Sequence, residues 1–129
     1  MRSKSDLGKT ILKEFIHIST IDYVDDLVQS LRVSFKIVKP RKTKLGDCRY
    51  PHPGKNTITI TVNSNLPKLQ FLITTIHELA HAKTFRDYGF KAKPHGEEWK
   101  NNFKVLFQPL LNEDILSSEE INLVNHLLS

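Results

Sequence analysis

Apolar residues along the chain follow two different periods, and the change from one to the other divides it into three parts. Leu7, Ile11, Leu12, Phe15 and Ile16 recur at helical spacing, as do Val24, Leu27, Val28 and Leu31. The N-terminal third therefore predicts one or two amphipathic helices, with a break or cap near Ser19-Thr20. Val33, Phe35 and Ile37 then alternate with Ser34 and Lys36, which is the period of a strand. Leu45 to Tyr50 is a weaker strand candidate. After the turn formers Pro51-His52-Pro53-Gly54-Lys55-Asn56, residues Ile58, Ile60 and Val62 alternate with threonines in the clearest strand pattern of the chain. Three short strands separated by turns predict a small three-stranded antiparallel sheet.

Helical spacing returns after the third strand. Asn63-Ser64-Asn65-Leu66-Pro67 supplies cap candidates followed by a proline in the first turn, and Leu69, Leu72, Ile73, Ile76 and Ala80 form the stripe of the helix so opened. Gly89 predicts its stop. A further helix runs roughly from His95 to Phe107 and is closed by Pro109. Ser117 with Glu120 reads as a capping box for a last helix reaching about Leu128. Helices, then sheet, then helices give an α+β domain. At 129 residues the chain is predicted to be a single domain, residues 1–129, able to bury one core without disulfides.

Composition adds three constraints. Cys48 is the only cysteine, which excludes an internal disulfide and a cysteine-based zinc site and points to a reducing, cytoplasmic compartment. Charges interrupt every apolar run, so neither a secretion signal nor a membrane span is expected, and the reading is of a protein without membrane partners. The net charge is +5, and Arg32, Lys36, Lys39, Arg41, Lys42 and Lys44 form a run without an acidic residue. Such a run is either a solvated face or a footprint for phosphate backbones and acidic polypeptide.

The candidate chemistry lies in the helix that follows the third strand, at His77-Glu78-Leu79-Ala80-His81. Histidines four apart leave a helix on the same face and can share a zinc ion. Glu78 stands about 100° around the helix from His77, the place of a general base rather than a ligand in this motif. A catalytic zinc ion needs a third protein ligand and an open position, where it lowers the pKa of water from about 15.7 toward ~7 and polarises a carbonyl. His95, after the loop that follows the motif helix, is the first candidate for that ligand. Glu97, Glu98 and His52 compete, although acidic residues in a first helical turn have a simpler reason to be there. His17 and His126 read as structural or surface residues. Trp99 and Phe103 read as packing behind the metal loop, and Cys48 as a small apolar filler. Arg49, Tyr50 and Tyr88 are candidates to stabilise an oxyanion.

Thr75 to Ala82, followed by Pro94-His95-Gly96-Glu97-Glu98-Trp99, resembles the SprT-like zinc metallopeptidase domain family, which pairs a His-Glu-x-x-His helix with a downstream His-Gly-x-x-aromatic element. Leu45 to Tyr50 and Thr57 to Val62 resemble the hairpin and apolar strand that precede that helix in the family. The similarity spans about Val33 to Phe107. It implies a zincin-like fold, zinc held by His77, His81 and His95, Glu78 as general base, a protein or peptide substrate, and work near DNA. Many members carry a cysteine-rich zinc ribbon after the catalytic domain, whereas no cysteine follows Pro109 here. Contact with DNA, and any association with the nucleoid, then falls to Lys36, Lys39, Arg41, Lys42 and Lys44. The alternative is a DNA-associated regulatory module whose zinc site turns over little or no peptide.

Overall fold

The three strands assemble around the most apolar of them. The computed structural model describes residues 4–128, with side chains from Gly8 onward. Two helices, α1 (Lys4–Leu12) and α2 (Ile21–Ser30), are joined by a short 3-10 turn at Ile18–Thr20, where the sequence places its break. Strands β1 (Val33–Val38), β2 (Gly46–Arg49) and β3 (Ile58–Asn63) follow, then α3 (Lys68–Tyr88), α4 (Glu97–Phe107) and α5 (Ser118–Leu128). Leu12 and Ile16 are buried, as the first helical stripe requires, but Ile11 is exposed and the side chain of Leu7 lies outside the described residues. No helix among the described residues is long and apolar enough to cross a membrane.

The sheet is mixed rather than antiparallel. Its order is β1-β3-β2, with β3 running parallel to β1 and antiparallel to β2. Alternation fixes which residues face the core but not which strand lies in the middle. Here Ile58, Ile60 and Val62 are fully buried and Thr61 and Asn63 nearly so, which is the burial of a central strand covered on both faces. β2 and β3 pair as neighbours, and β1 takes the far side of β3. The 39–45 connection therefore crosses the end of β3.

Asn63 fastens that crossing. Its side-chain nitrogen donates to the carbonyls of Lys44 (2.8 Å) and Arg41 (3.3 Å), while its oxygen accepts from Arg41 Nε (2.9 Å). Asn63 thus ends a strand and organises a loop, and it does not cap α3. Pro67 occupies the N-cap position of α3 rather than a place in its first turn, and no side chain caps that helix. At the other end Gly89 stops it with φ 65°, a left-handed conformation that suits glycine. The capping box of α5 forms in full: Ser117 N–H donates to Glu120 Oε1 (2.9 Å) and Glu120 N–H to Ser117 Oγ (3.1 Å).

α3 lies across the sheet with Phe71, Leu72, Ile76, Leu79, Ala80 and Ala82 in the core. Two contacts set its position. β2 approaches at Gly46, where a Cβ would stand 2.8 Å from Thr61 O and 3.3 Å from Glu78 Cγ, so only glycine admits strand and helix at this spacing. Near the helix C-terminus, Arg86 donates to the carbonyls of Leu31 (3.0 Å), Arg32 (3.2 Å) and Asn56 (2.6 Å) and to Asn56 Oδ1 (2.8 Å). α4 packs against α3, and the buried Asn102 donates across that interface to Thr84 Oγ1 (3.0 Å).

Candidate metal centre

Burial of one α3 face leaves His77 and His81 half-buried at its margin, with their rings 5.1 Å apart. The chain returns to them after α3. Lys93 O accepts from Gly96 N–H (3.0 Å) in a tight turn, and His95 inside that turn has φ 57°. A left-handed backbone is uncommon for a residue other than glycine, and such conformations concentrate where a side chain must be aimed. The His95 Nε2 atom lies 3.0 Å from His81 Nε2 and 3.2 Å from His77 Nε2.

The donor set suits a metal ion. Nitrogens bound tetrahedrally at 2.0–2.1 Å stand about 3.3 Å from one another, close to the spacings found here. Metal-ligating histidines must be neutral. Burial pushes the His77 imidazole down to about 4, with the neighbouring His95 adding to it, and burial followed by His77 and His95 does the same to His81. Among the described residues, His77, His81 and His95 form the one group of three that could hold a metal ion.

Trp99 backs this cluster. Its ring stacks on His81 (5.3 Å) and meets His77 and His95 edge-on (4.8 and 4.6 Å), while Nε1 donates to the His77 carbonyl (3.3 Å). The packing expected of Trp99 and Phe103 is present in both: Phe103 lies in the core, Trp99 is partly buried against it, and both rings meet His77.

Glu78 is buried on the side of α3 that faces β2. Burial pushes its carboxyl up to about 7, the negative Asp47 adds to the rise, and Arg41 and Lys44 oppose it. A carboxyl that titrates near neutrality is suited to exchange protons. Asp47 itself is the hub of a charge network. It accepts from Thr61 Oγ1 and pairs with Lys44 (2.7 Å), Arg49 (3.4 Å) and Arg41 (3.7 Å). Burial would raise the Asp47 carboxyl, yet hydrogen bonds from Lys44 and Thr61 and the charges of Lys44 and Arg49 outweigh it and hold the group at about 2.

The remaining candidates separate cleanly. His52 is exposed in the β2–β3 turn, Glu97 is exposed with Lys100 at 3.8 Å, and neither they nor Glu98 join the histidines. His17 caps the first 3-10 turn through Nδ1, and His126 sits in the last turn of α5. Cys48 packs partly buried beside the core, and burial, then Glu78 and Asp47, push its thiol up to about 12. Of the three oxyanion candidates, Tyr50, also exposed, lines a cavity with His81, whereas Arg49 turns to Asp47 and Tyr88 is exposed without lining that cavity. The basic run is divided too. Arg41 and Lys44 serve the Asp47–Asn63 network, and Lys36, Lys39 and Lys42 stand exposed. Asp47 and Asn63 are the residues that sequence reasoning missed; the signal for Asp47 was an acid just past the run of cations, whereas nothing in the sequence sets Asn63 apart from Asn65.

Searches of curated proteins and of solved structures returned no match. A family model does match, over residues 19–113, and that span takes in the sheet, the α3 histidines, His95 and all of α4. The chain belongs to the SprT-like family.

Proposed function

We propose that the chain is a zinc-dependent endopeptidase, with His77, His81 and His95 as the metal ligands and Glu78 as the general base. The observation that carries this reading is the convergence of three imidazole nitrogens, two of them from the helix on which the residue after His77 is the buried carboxyl Glu78. Three nitrogen donors suit zinc, and three protein ligands are the complement of a catalytic rather than a structural site. When bound there, zinc supplies Lewis acidity to a carbonyl and acidity to water. Glu78 then takes the proton of the attacking water and returns it to the departing nitrogen. Its ionised form gains as positive charge gathers at the histidines.

The sheet supports a polypeptide substrate. β2 is an edge strand that packs on α3 next to Glu78, so an extended peptide can add to its outer edge through main-chain hydrogen bonds. The decisive experiment is Glu78→Gln. Zinc content should remain one per chain while cleavage of an unfolded protein such as casein falls by roughly 10²- to 10⁴-fold. Undiminished cleavage by that variant would remove Glu78 from the chemistry.

Proximity to DNA is a second element of the proposal, favoured by the exposure of Lys36, Lys39 and Lys42 on a chain of net charge +5. Binding of duplex or single-stranded DNA should weaken steeply with salt. The triple reversal to glutamate should flatten that slope by about 0.7–0.9 for each phosphate the variant no longer neutralises. Binding that is absent, or indifferent to salt, removes this element and leaves the peptidase reading intact.

A further inference from the structure

The α3 face that carries His77 and His81 continues four residues on to Phe85, and an aromatic enclosure forms there. Tyr50, the residue after β2, stacks on Phe85 with ring centroids 4.8 Å apart. Gly89 turns the chain so that Phe90 meets both rings edge-on, at 5.0 Å from Phe85 and 5.7 Å from Tyr50. Together with His81, Pro94 and Trp99 these rings line a cavity of about 130 Å³. That is the space of about four waters at roughly 30 Å³ each, which is the scale of one branched aliphatic side chain.

The lining offers few polar partners. The Thr84 hydroxyl in its wall is already committed, donating to Ala80 O (2.7 Å) and accepting from Asn102 (3.0 Å), and Lys93 is the one lysine or arginine that contributes to the lining. Phe90 is 78% exposed and, with Tyr50 at 38%, forms the solvent-facing wall of the enclosure. The cavity also shares His81 and Trp99 with the metal centre, so whatever enters it lies beside the reacting bond.

We propose that this cavity receives the side chain of a substrate residue adjoining the scissile bond and selects a leucine-sized apolar group, with Tyr50, Phe85 and Phe90 as the specificity-determining residues. The inference rests on the peptidase reading for the identity of its occupant.

The test uses the zinc-loaded full chain and two short peptide hydroxamates, one with an isobutyl group and one with hydrogen beside the metal-binding group. Calorimetric titration should show the isobutyl compound binding roughly 10- to 100-fold tighter, the effect of burying a leucine side chain. In Phe90→Ala, which removes an exposed ring and leaves the core untouched, that ratio should fall to a few-fold or less. Equal binding of the two compounds, binding of neither, or a ratio undiminished in Phe90→Ala overturns the pocket. Matched peptides carrying the same two side chains score hydrolysis separately. A preserved ratio without cleavage removes the peptidase reading and keeps the pocket, whereas cleavage without preference does the reverse.

Discussion

The two flanks of Glu78 handle polar groups in opposite ways. On the sheet side, Asp47, Arg41, Lys44, Arg49, Thr61 and Asn63 meet as donors and acceptors, each satisfying another. On the helix side, three basic nitrogens are aimed at a common point and have mainly one another for company. A network in which every member is paired, although Arg41 Nη2 is buried without a partner, is what holds the crossing loop in place. Like groups brought together, with a strained backbone at His95 to do it, are what a ligand site needs. The contrast separates architecture from chemistry across one carboxylate.

The comparison is tested most strongly by His81→Ala. Zinc at 100 times its dissociation constant stabilises a folded chain by about 2.7 kcal/mol. That gain, read as a rise in the midpoint of thermal unfolding, should appear in the parent and vanish in the variant, while Asp47→Asn should retain it. If Asp47→Asn loses the zinc response as well, the two flanks are not independent.

Acid reads the other flank. Asp47 is held at about 2 in the folded chain, below the ~3.9 of an unfolded aspartate. Because its folded value is the lower one, its contribution is complete above pH ~4 and is lost as pH falls toward 2. The amount is roughly 2 kcal/mol, and Asp47→Asn should remove that part of the acid dependence in denaturant titrations. An unchanged acid profile in Asp47→Asn would take the network out of the stability of the fold. The smallest effect is expected from Trp99→Phe, which keeps a ring against the imidazoles and deletes the bond to the His77 carbonyl. One hydrogen bond amounts to about 0.5–1.5 kcal/mol, so zinc affinity should weaken by no more than about tenfold. A larger loss would mean that the indole itself, rather than its N–H, orients the cluster.

Much of this was legible in the chain because it is local. The i, i+4 spacing of His77 and His81, the Ser117–Glu120 box and the glycine stop at Gly89 are all set within one or two helical turns. His95 was legible through its place just beyond the helix, where a short loop has to turn back. Strand order was not legible, since the alternation in β1 and β3 is the same whether they pair in parallel or not. The fates of Arg41 and Lys44 were hidden for a related reason. A cation run looks uniform until an acid is placed beside its members; Asp47 lies only three residues past Lys44, but the pairing of β2 with β3 is what sets it against Thr61 and Arg41.

Arg86 has a mechanical consequence. Five residues beyond His81, it is anchored to the chain entering β1 and to the β2–β3 turn, and so acts as an indexing pin on a long rod. Group tips on a helix ride about 5–6 Å from its axis, so a slip of about 10° swings them by roughly 1 Å. Displacements of that size can cost on the order of 100-fold in rate. The angular setting of both α3 histidines is therefore held, together with the core face and the Gly46 contact, by a guanidinium at the far end of the helix.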